Sequence, residues 1–461
     1  MSTKETSRNE VALYNILSTV LLQGIGFFTA PVFSRLLGAA NYGVVSVFSA
    51  WAAVFMMVFS LGAYSSIGVA SQKYHDDDLK RYYSSIITLS LLSYTILALL
   101  TYVILSWLGV EKIIILLAAM VEGLAGMCIS FANNRFIHSL KAKENFYLSL
   151  AVLLSTLITS IVLLNHLDKE INYWGRILGL ICPKAIIALI ILLSFWKEKS
   201  FFVFEYWKFC LYISIPIAVH NVSNLVLSQS DRVMLQGIVS DSEAGVYSLA
   251  YGFASILVTI YGALYHTWLP FYLRYAKSGD AASILRHGRN YIRVFSYLMV
   301  GFLLIYQEVF RIFADSTYWS GITIIPILLV GFFFMHLYSL SIMYELYNQK
   351  SKMMGFATFV TALCNILLNF VFIKRYGALG AAVASSTSYC IEFIIHYLYA
   401  NSYIKGYYPF KIMNIFPEIL IGVLGLCLFI VFHKLVFIRW ILAVITGVCL
   451  IYSVKKEGSI I

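Results

Sequence analysis

Fourteen apolar segments dominate this sequence and leave few folds open to it. Each is about 17–25 residues long, the length that an α-helix needs to cross roughly 30 Å of hydrocarbon. The runs are continuous and do not alternate with polar residues, so they predict an all-α polytopic membrane protein and not a barrel. Numbered 1 to 14 along the chain, the segments lie at about 11–30, 42–66, 83–107, 113–134, 147–165, 174–195, 207–228, 243–266, 293–313, 321–343, 354–373, 379–400, 415–432 and 437–453.

The composition agrees with a membrane environment. The chain is 61% hydrophobic and 12% charged, whereas a soluble domain is about 25% charged. Segment 1 is too long for a signal peptide and lacks a cleavage site of small residues, so we expect it to remain as a membrane helix. The seven Cys lie inside the segments without CxxC spacing, which predicts small apolar residues and neither disulfides nor metal ligands.

The basic residues predict the orientation. With the N-terminus in the cytoplasm, the inside loops are the richer in Lys and Arg, for example at Lys80, Arg81, Lys141, Arg274 and Lys455. The positive-inside rule therefore favours both termini inside. The net charge of +11 is then mainly a topology signal. Because no clustered basic face is visible, we expect no binding to nucleic acid.

The two halves of the chain resemble each other. The run PVFSRLLGAANYGVVSVFSAW from Pro31 is echoed by SQSDRVMLQGIVSDSEAGVYSLAYGF from Ser228, and the run after Ser139 is echoed after Asn348. In an apolar chain, such a duplication is typical of a transporter whose site lies between the halves. We expect an N-terminal lobe over 1–200, a C-terminal lobe over 201–400, and two further helices with a cytoplasmic tail over 401–461.

Catalytic and nucleotide-binding motifs are absent from the sequence. It has no GxxxxGK[ST], HExxH or GxSxG pattern, and the predicted outside loops are short. These features indicate a transporter and not an enzyme. We expect it to need no cofactor and no metal.

Polar side chains within the apolar segments are the candidates for substrate contact, because each is costly in lipid unless paired or hydrated. Segments 1 and 7 carry polar faces at matching depth, segment 8 carries tyrosines that could stack on sugars, and segment 11 carries two asparagines one turn apart. Hydrogen bonding between helices is the alternative explanation for such stripes. The candidates are Asn15, Gln23, His220, Asn221, Asn224, Tyr247, Tyr251, Asn365 and Asn369.

Several charges are more specific. Lys184 follows Pro183 inside segment 6 and is expected either to pair with a buried acid or to face an anionic ligand. Glu122, Asp231 and Glu392 are candidates for a coupling ion or proton, with structural hydrogen bonding as the alternative.

Two arginines, Arg35 and Arg232, occupy matching places in the repeat at the outer ends of segments 1 and 7. They are predicted either to anchor the helices at the interface or to bind phosphate through the planar guanidinium.

Three motifs carry a resemblance to a known family over about residues 1–400. They are Pro31 with Ser34-Arg35-Leu36-Leu37-Gly38 and Tyr42-Gly43, then Asp231-Arg232 with Ala244-Gly245-Val246-Tyr247-Ser248, then Asn365 to Asn369 followed by Tyr376-Gly377. In this order they resemble the Wzx-type lipid-linked oligosaccharide flippases of the multidrug/oligosaccharidyl-lipid/polysaccharide exporter superfamily.

The resemblance implies two pseudo-symmetric six-helix lobes around a central cavity, with segments 13 and 14 appended. It implies a transporter in the bacterial inner (plasma) membrane that flips undecaprenyl-pyrophosphate-linked repeat units to the outer leaflet by alternating access, for capsule, O-antigen or exopolysaccharide synthesis. The implied partners are that lipid-linked glycan, membrane lipids, and the glycosyltransferases and polymerase of the pathway.

Three alternatives remain open at this point. A drug exporter of the same superfamily would need an acidic residue in segment 1, and a lipid II flippase would usually carry basic residues there at mid-depth; segment 1 has neither before Arg35. A membrane polysaccharide polymerase is the alternative of another class, and the short outside loops disfavour it.

Overall fold

The computed structural model describes the backbone of residues 8–139, 141–404, 406 and 408–457. It describes the side chains of residue 27 and of residues 29–456 other than 76, 140, 351, 405 and 407. All regular secondary structure in this part of the chain is helical. The α-helices are α1 Arg8–Phe59, α2 Ile67–Lys73, α3 Asp76–Trp107, α4 Ile113–His138, α5 Ala142–Leu164, α6 Tyr173–Phe195, α7 Phe204–Ile238, α8 Asp241–Ala254, α9 Ile256–Ser278, α10 Ala281–Phe313, α11 Ile325–Tyr347, α12 Ser351–Ser402, α13 Ile412–Phe432 and α14 Val436–Glu457.

Every predicted segment overlaps these helices over most of its length, and the prediction of an all-α polytopic membrane protein is confirmed. Twelve stretches of the described residues are long and apolar enough to cross a membrane. Twelve differs from fourteen because most of segment 1 precedes Thr29, where the counted stretch of α1 begins, and because α12, 52 residues long, holds segments 11 and 12 in one stretch. Segment 8 is instead divided between α8 and α9, which meet at Ser255.

Glycine allows the two long helices to bend without a loop. Gly38 in α1 has φ 70° and ψ 170°, and Gly377 in α12 has φ 57° and ψ −135°. Side chains with a Cβ rarely adopt positive φ, so glycine is the residue suited to both kinks. The sequence analysis expected a loop at each place, and the structure corrects this to a single-residue break.

The chain forms two compact units, Met1–Gln236 and Gly237–Ile461, called unit 1 and unit 2 below. Helix α7 belongs to unit 1 almost to its end. Its first turn is fixed there by a hydrogen bond from the Tyr206 hydroxyl to Asp78 and by the Trp207 indole N–H, 3.1 Å from the Ser85 carbonyl oxygen. The predicted division at 200 and 400 followed the sequence repeat and stays a prediction.

In unit 2, the last two helices pack against α10 through buried ion pairs. Glu418 of α13 accepts from Arg289 Nε at 3.0 Å and from Arg293 Nη2 at 2.9 Å. Arg439 of α14 is fully buried and donates to Glu308 at 2.5 Å. Because each pair joins fixed positions on two helices, these pairs fix the register of the apolar helices α13 and α14 against α10.

Candidate functional site

An ion pair lies inside the membrane-spanning part of unit 1. Lys184 Nζ of α6 donates to Glu122 Oε1 of α4. The side chains are 22% and 9% exposed, respectively. Of the two expectations for Lys184, the structure therefore shows the pairing with a buried acid. The same contact accounts for Glu122, because a buried carboxylate next to an ammonium needs no proton to balance its charge.

Arg176 lies two turns before Lys184 on α6 and was missed by the sequence analysis. Its Nη1 donates to the Ser160 hydroxyl at 2.8 Å, and its guanidinium lies 3.8 Å from the centroid of the Phe33 ring. It also interacts electrostatically with Tyr42 and Glu122. In sequence it stands near the start of segment 6, where an arginine is usually an interface anchor.

Arg232 brings a second guanidinium to the same place. Its Nη1 donates to Gln229 Oε1 at 2.6 Å, and both Arg232 and Arg176 act electrostatically on the Tyr42 hydroxyl. We call Tyr42, Glu122, Arg176, Lys184 and Arg232 the unit 1 cluster. It holds three basic groups and one acidic group, so it favours an anion.

The two arginines of the sequence repeat have different environments. Arg35 is exposed on α1, whereas Arg232 is half-buried on α7. The phosphate-binding role predicted for them is not tested by this difference, but only Arg232 lies in the unit 1 cluster.

The polar face of α7 is partly accessible. Asn224 is exposed, and its amide nitrogen lies 3.1 Å from His220 Nε2. Asn221 is half-buried and Asp231 is fully buried. The matching face of segment 1 lies in α1, but the side chains of Asn15 and Gln23 are outside those that the structure describes.

The tyrosines of α8 pack within unit 2. Tyr247 is fully buried, with its hydroxyl 3.4 Å from Ser385 Oγ, and the Tyr251 hydroxyl lies 3.5 Å from that of Tyr389. Tyr251 also makes an edge-to-face contact with Phe332, at 5.5 Å between centroids. Their predicted stacking on sugars stays a prediction and would require these rings to become accessible.

The two asparagines of segment 11 link the halves of α12. Asn369 Nδ2 donates to Asn365 Oδ1 at 3.0 Å, and Asn365 Nδ2 donates to Ser388 Oγ at 3.3 Å. Both asparagines are fully buried. The structure thus displays the hydrogen bonding between helices that was the alternative explanation, while a substrate role remains untested.

A second cluster of titratable groups lies in unit 2. Glu392 is buried and accepts from Thr358 Oγ1 at 3.2 Å. Nearby, His396 Nδ1 lies 2.8 Å from Glu345 Oε1, and both residues are fully buried. The sequence analysis identified Glu392 only. Glu345 lies just beyond the predicted end of segment 10, and His396 stands one turn after Glu392, a spacing that could have revealed it.

A family comparison identifies the chain. A model described as "Polysaccharide biosynthesis protein" matches residues 10–275, which is more than half of the chain. The chain belongs to this family. The predicted kinship with Wzx-type polysaccharide transporters is thereby confirmed, as is the prediction of a transporter family and not an enzyme.

Relatives and solved structures agree with this family. The "Probable low-salt glycan biosynthesis flippase Agl15" of Haloferax volcanii is 21% identical over 420 residues, covering 87% of this chain and 84% of that protein. The structure "Lipid II flippase MurJ, inward closed conformation" matches with a TM-score of 0.73 at 18% identity, over 97% of this chain and 99% of that one.

A drug transporter shares the fold less closely. The MATE multidrug transporter DinF-BH matches with a TM-score of 0.59 at 15% identity, over 87% of this chain and 98% of that one. At these identities the likeness shows the fold alone. The protein is a multi-pass membrane protein of the polysaccharide biosynthesis family, with a fold like those of MurJ and the MATE transporters.

Proposed function

We propose that the protein flips an undecaprenyl-pyrophosphate-linked oligosaccharide repeat unit from the inner to the outer leaflet of a bacterial plasma membrane. It does so by alternating access, and it supplies the synthesis of a capsule, an O-antigen or an exopolysaccharide. The family, the MurJ-like fold and the relative named as a glycan flippase support this proposal. The observation that carries it is the excess of basic groups in the unit 1 cluster.

The chemistry of the substrate calls for such a cluster. A sugar head is polar and does not cross hydrocarbon unaided, while its lipid tail can stay in the bilayer. The pyrophosphate is anionic, and a guanidinium offers a planar set of donors that match phosphate oxygens. Two guanidiniums near one tyrosine hydroxyl therefore suit a pyrophosphate, and Lys184 flanks them on α6.

Arg176 is the most suitable member of the cluster for this role. Among the described residues its one hydrogen bond uses Nη1, so its remaining N–H groups can donate to a ligand. The Phe33 ring fixes the guanidinium plane from one side. Binding would then add charge-assisted hydrogen bonds without breaking an ion pair of Arg176.

The other predicted residues keep their proposed roles. Arg35, His220, Asn221, Asn224 and the asparagines of α12 are proposed contacts for the sugar or the phosphate, and Tyr247 and Tyr251 are proposed to stack on sugar rings. Glycosyltransferases and a polymerase of the same pathway are the proposed partners.

The test is flipping of a defined undecaprenyl-pyrophosphate-linked oligosaccharide in proteoliposomes. Each charge-assisted hydrogen bond contributes about 1.5–3 kcal/mol, so Arg176→Gln should slow flipping by roughly 10- to 150-fold. Arg232→Ala should act in the same direction, and Arg35→Ala should act less because Arg35 is exposed.

Two outcomes would contradict the proposal. Unchanged flipping in both Arg176→Gln and Arg232→Ala would exclude the pyrophosphate site. Transport of a cationic dye, with no flipping of the lipid-linked sugar by the wild-type protein, would exclude the substrate and favour a drug exporter.

A further inference from the structure

Three titratable side chains lie close together inside the spans of unit 2: Glu345 of α11, and Glu392 and His396 of α12, where His396 interacts electrostatically with Glu392. Their exposed fractions are 0%, 1% and 0%. His396 Nδ1 lies 2.8 Å from Glu345 Oε1, and Glu392 Oε1 accepts from Thr358. Glu345 Oε2, Glu392 Oε2 and His396 Nε2 are buried without a hydrogen-bond partner among the described residues. Three polar atoms are therefore left for a mobile proton.

The groups that surround this cluster are neutral. The Tyr338 ring of α11 stacks on His396 at 5.7 Å between centroids. No Lys or Arg nitrogen lies within ion-pair distance of either carboxyl in the part of the chain that the structure describes. The other groups that interact electrostatically with the two carboxyls are tyrosine hydroxyls of α9, α12 and the segment before α13. The hydroxyls are those of Tyr261, Tyr338 and Tyr389 near Glu392, with Tyr251 of α8 beside Tyr389, and of Tyr408 near Glu345.

Charge counting then fixes how many protons the cluster holds. Without protons, Glu345 and Glu392 carry two negative charges and His396 carries none. A net charge buried in a medium of low dielectric is expensive, so the neutral form of the cluster is favoured. Neutrality needs two protons spread over three groups. One group is always vacant, which is the condition for a proton to move among them.

Glu122 in unit 1 does not meet this condition. Glu122 has Lys184 as its counter-ion, and that pair is balanced without an exchangeable proton. Glu345 and Glu392 are thus better suited than Glu122 to couple a proton to transport.

We propose that Glu345, His396 and Glu392 form a proton-exchange site that drives the protein as a proton antiporter. The inference rests on the proposed function. A proton arrives from the outer aqueous phase, moves between carboxylate oxygen and imidazole nitrogen, and leaves to the cytoplasm as substrate moves outward. Only O–H and N–H bonds form and break. By the predicted orientation, Glu345 and His396 lie towards the cytoplasmic ends of their helices.

The first experiment measures flipping of the lipid-linked oligosaccharide in proteoliposomes with and without an imposed pH gradient. A gradient of one unit is a tenfold proton ratio, so exchange of one proton should enrich the substrate about tenfold in the leaflet on the acidic side. The double variant Glu345→Gln/Glu392→Gln should still equilibrate the substrate but end near a ratio of one.

The matched control is Glu418→Gln, an equally buried carboxyl that two arginines balance. It should keep the enrichment even if less folded protein is recovered. Two outcomes would overturn the inference while leaving the proposed function intact. In one, the double variant enriches the substrate as much as the wild type does. In the other, the wild type flips the substrate but does not respond to the gradient.

The second experiment needs no substrate. Infrared difference spectra of the purified full chain, recorded while pH is stepped, should show the carbonyl band of a protonated carboxyl shielded from water, which lies at higher frequency than the bands of exposed carboxyls. That band should disappear in the double variant and remain in Glu418→Gln. If the wild type flips no lipid-linked sugar, the proposed function fails, and this spectrum still decides the proton site. A band that survives the double variant would place the proton elsewhere.

Discussion

The unit 1 cluster and the titratable cluster of unit 2 balance their charges in different ways. In unit 1 the acid Glu122 is matched by Lys184, and Arg176 stands nearby, so the charges are permanent and their sum is positive. In unit 2 the cluster of Glu345, Glu392 and His396 reaches neutrality only by binding protons. The sequence repeat therefore does not reproduce the buried charges of these clusters. One unit is suited to hold an anion, and the other is suited to exchange a proton.

The largest effect is expected from removing the counter-ion in unit 1. Lys184→Met leaves Glu122 buried without its partner, and breaking a buried pair costs about 3–5 kcal/mol. We expect a loss of that size in the free energy of unfolding, measured by chemical denaturation in detergent, together with loss of flipping. If the variant were as stable as the wild type, the charges of unit 1 would not be permanent.

The double variant Glu122→Gln/Lys184→Met separates stability from transport. It removes both charges, so most of the unfolding free energy should return. Flipping should stay impaired, because the unit 1 cluster would lose one of its three basic residues. Recovery of flipping as well would reduce the pair to a structural role.

A smaller effect is expected from Glu418→Gln in unit 2. The change weakens two charge-assisted hydrogen bonds, and each such bond contributes about 1.5–3 kcal/mol; partial exposure of Arg289 and Arg293 limits the total. Hydrogen exchange should become faster in α13 and stay unchanged in α4. The exposed Glu205→Gln serves as the control, and equal acceleration in both units would show that their stabilities are not separate.

The two kinks should differ when alanine replaces glycine. At Gly38 a Cβ meets nothing within 4 Å, so the cost is backbone strain alone, about 1–3 kcal/mol. At Gly377 the Cβ would also lie 3.2 Å from Glu243 Oε2, which accepts from the Ala378 N–H at 3.0 Å. Thermal unfolding should show a lower midpoint for Gly377→Ala than for Gly38→Ala, and the reverse order would refute this explanation of the kinks.

The smallest effect concerns an exposed charge. Asp280 caps α10, and hydrogen bonds from Ser283 lower the pKa of its carboxyl below the usual value. Because the pKa is lower in the folded state, the cap stabilises above the ordinary pKa of aspartate and loses this contribution as pH falls through the folded value. Asp280→Asn should flatten this acid-side dependence of the thermal midpoint, and a steeper dependence would contradict the assignment.

Most of the fold could be predicted from the sequence, because a membrane span needs a length of apolar residues that is visible without any contact. The loops at Gly38 and Gly377 were predicted wrongly. A lone glycine between two apolar runs looks the same whether it ends a helix or bends it, and only the backbone angles distinguish the two.

The candidate site was harder to predict. Lys184 and Glu122 were each identified, but their pairing depends on how α4 packs against α6, which no local pattern encodes. Arg176 resembled an interface anchor, and Glu345 fell past the end of its segment. The roles of such residues depend on contacts with residues distant in sequence, such as Ser160 for Arg176 and His396 for Glu345.

The absence of loops at the two kinks has a mechanical consequence. Segments 1 and 2 follow each other with only the non-helical Gly38 between their helices, so any reorientation of one against the other must pass through the two torsion angles of Gly38. The same holds for segments 11 and 12 at Gly377, where the Glu243 carboxylate binds the next peptide N–H. A loop would distribute such a movement over many torsion angles. The glycine kinks instead couple the two spans of each pair, so that a change of angle between them is a rotation about a single glycine.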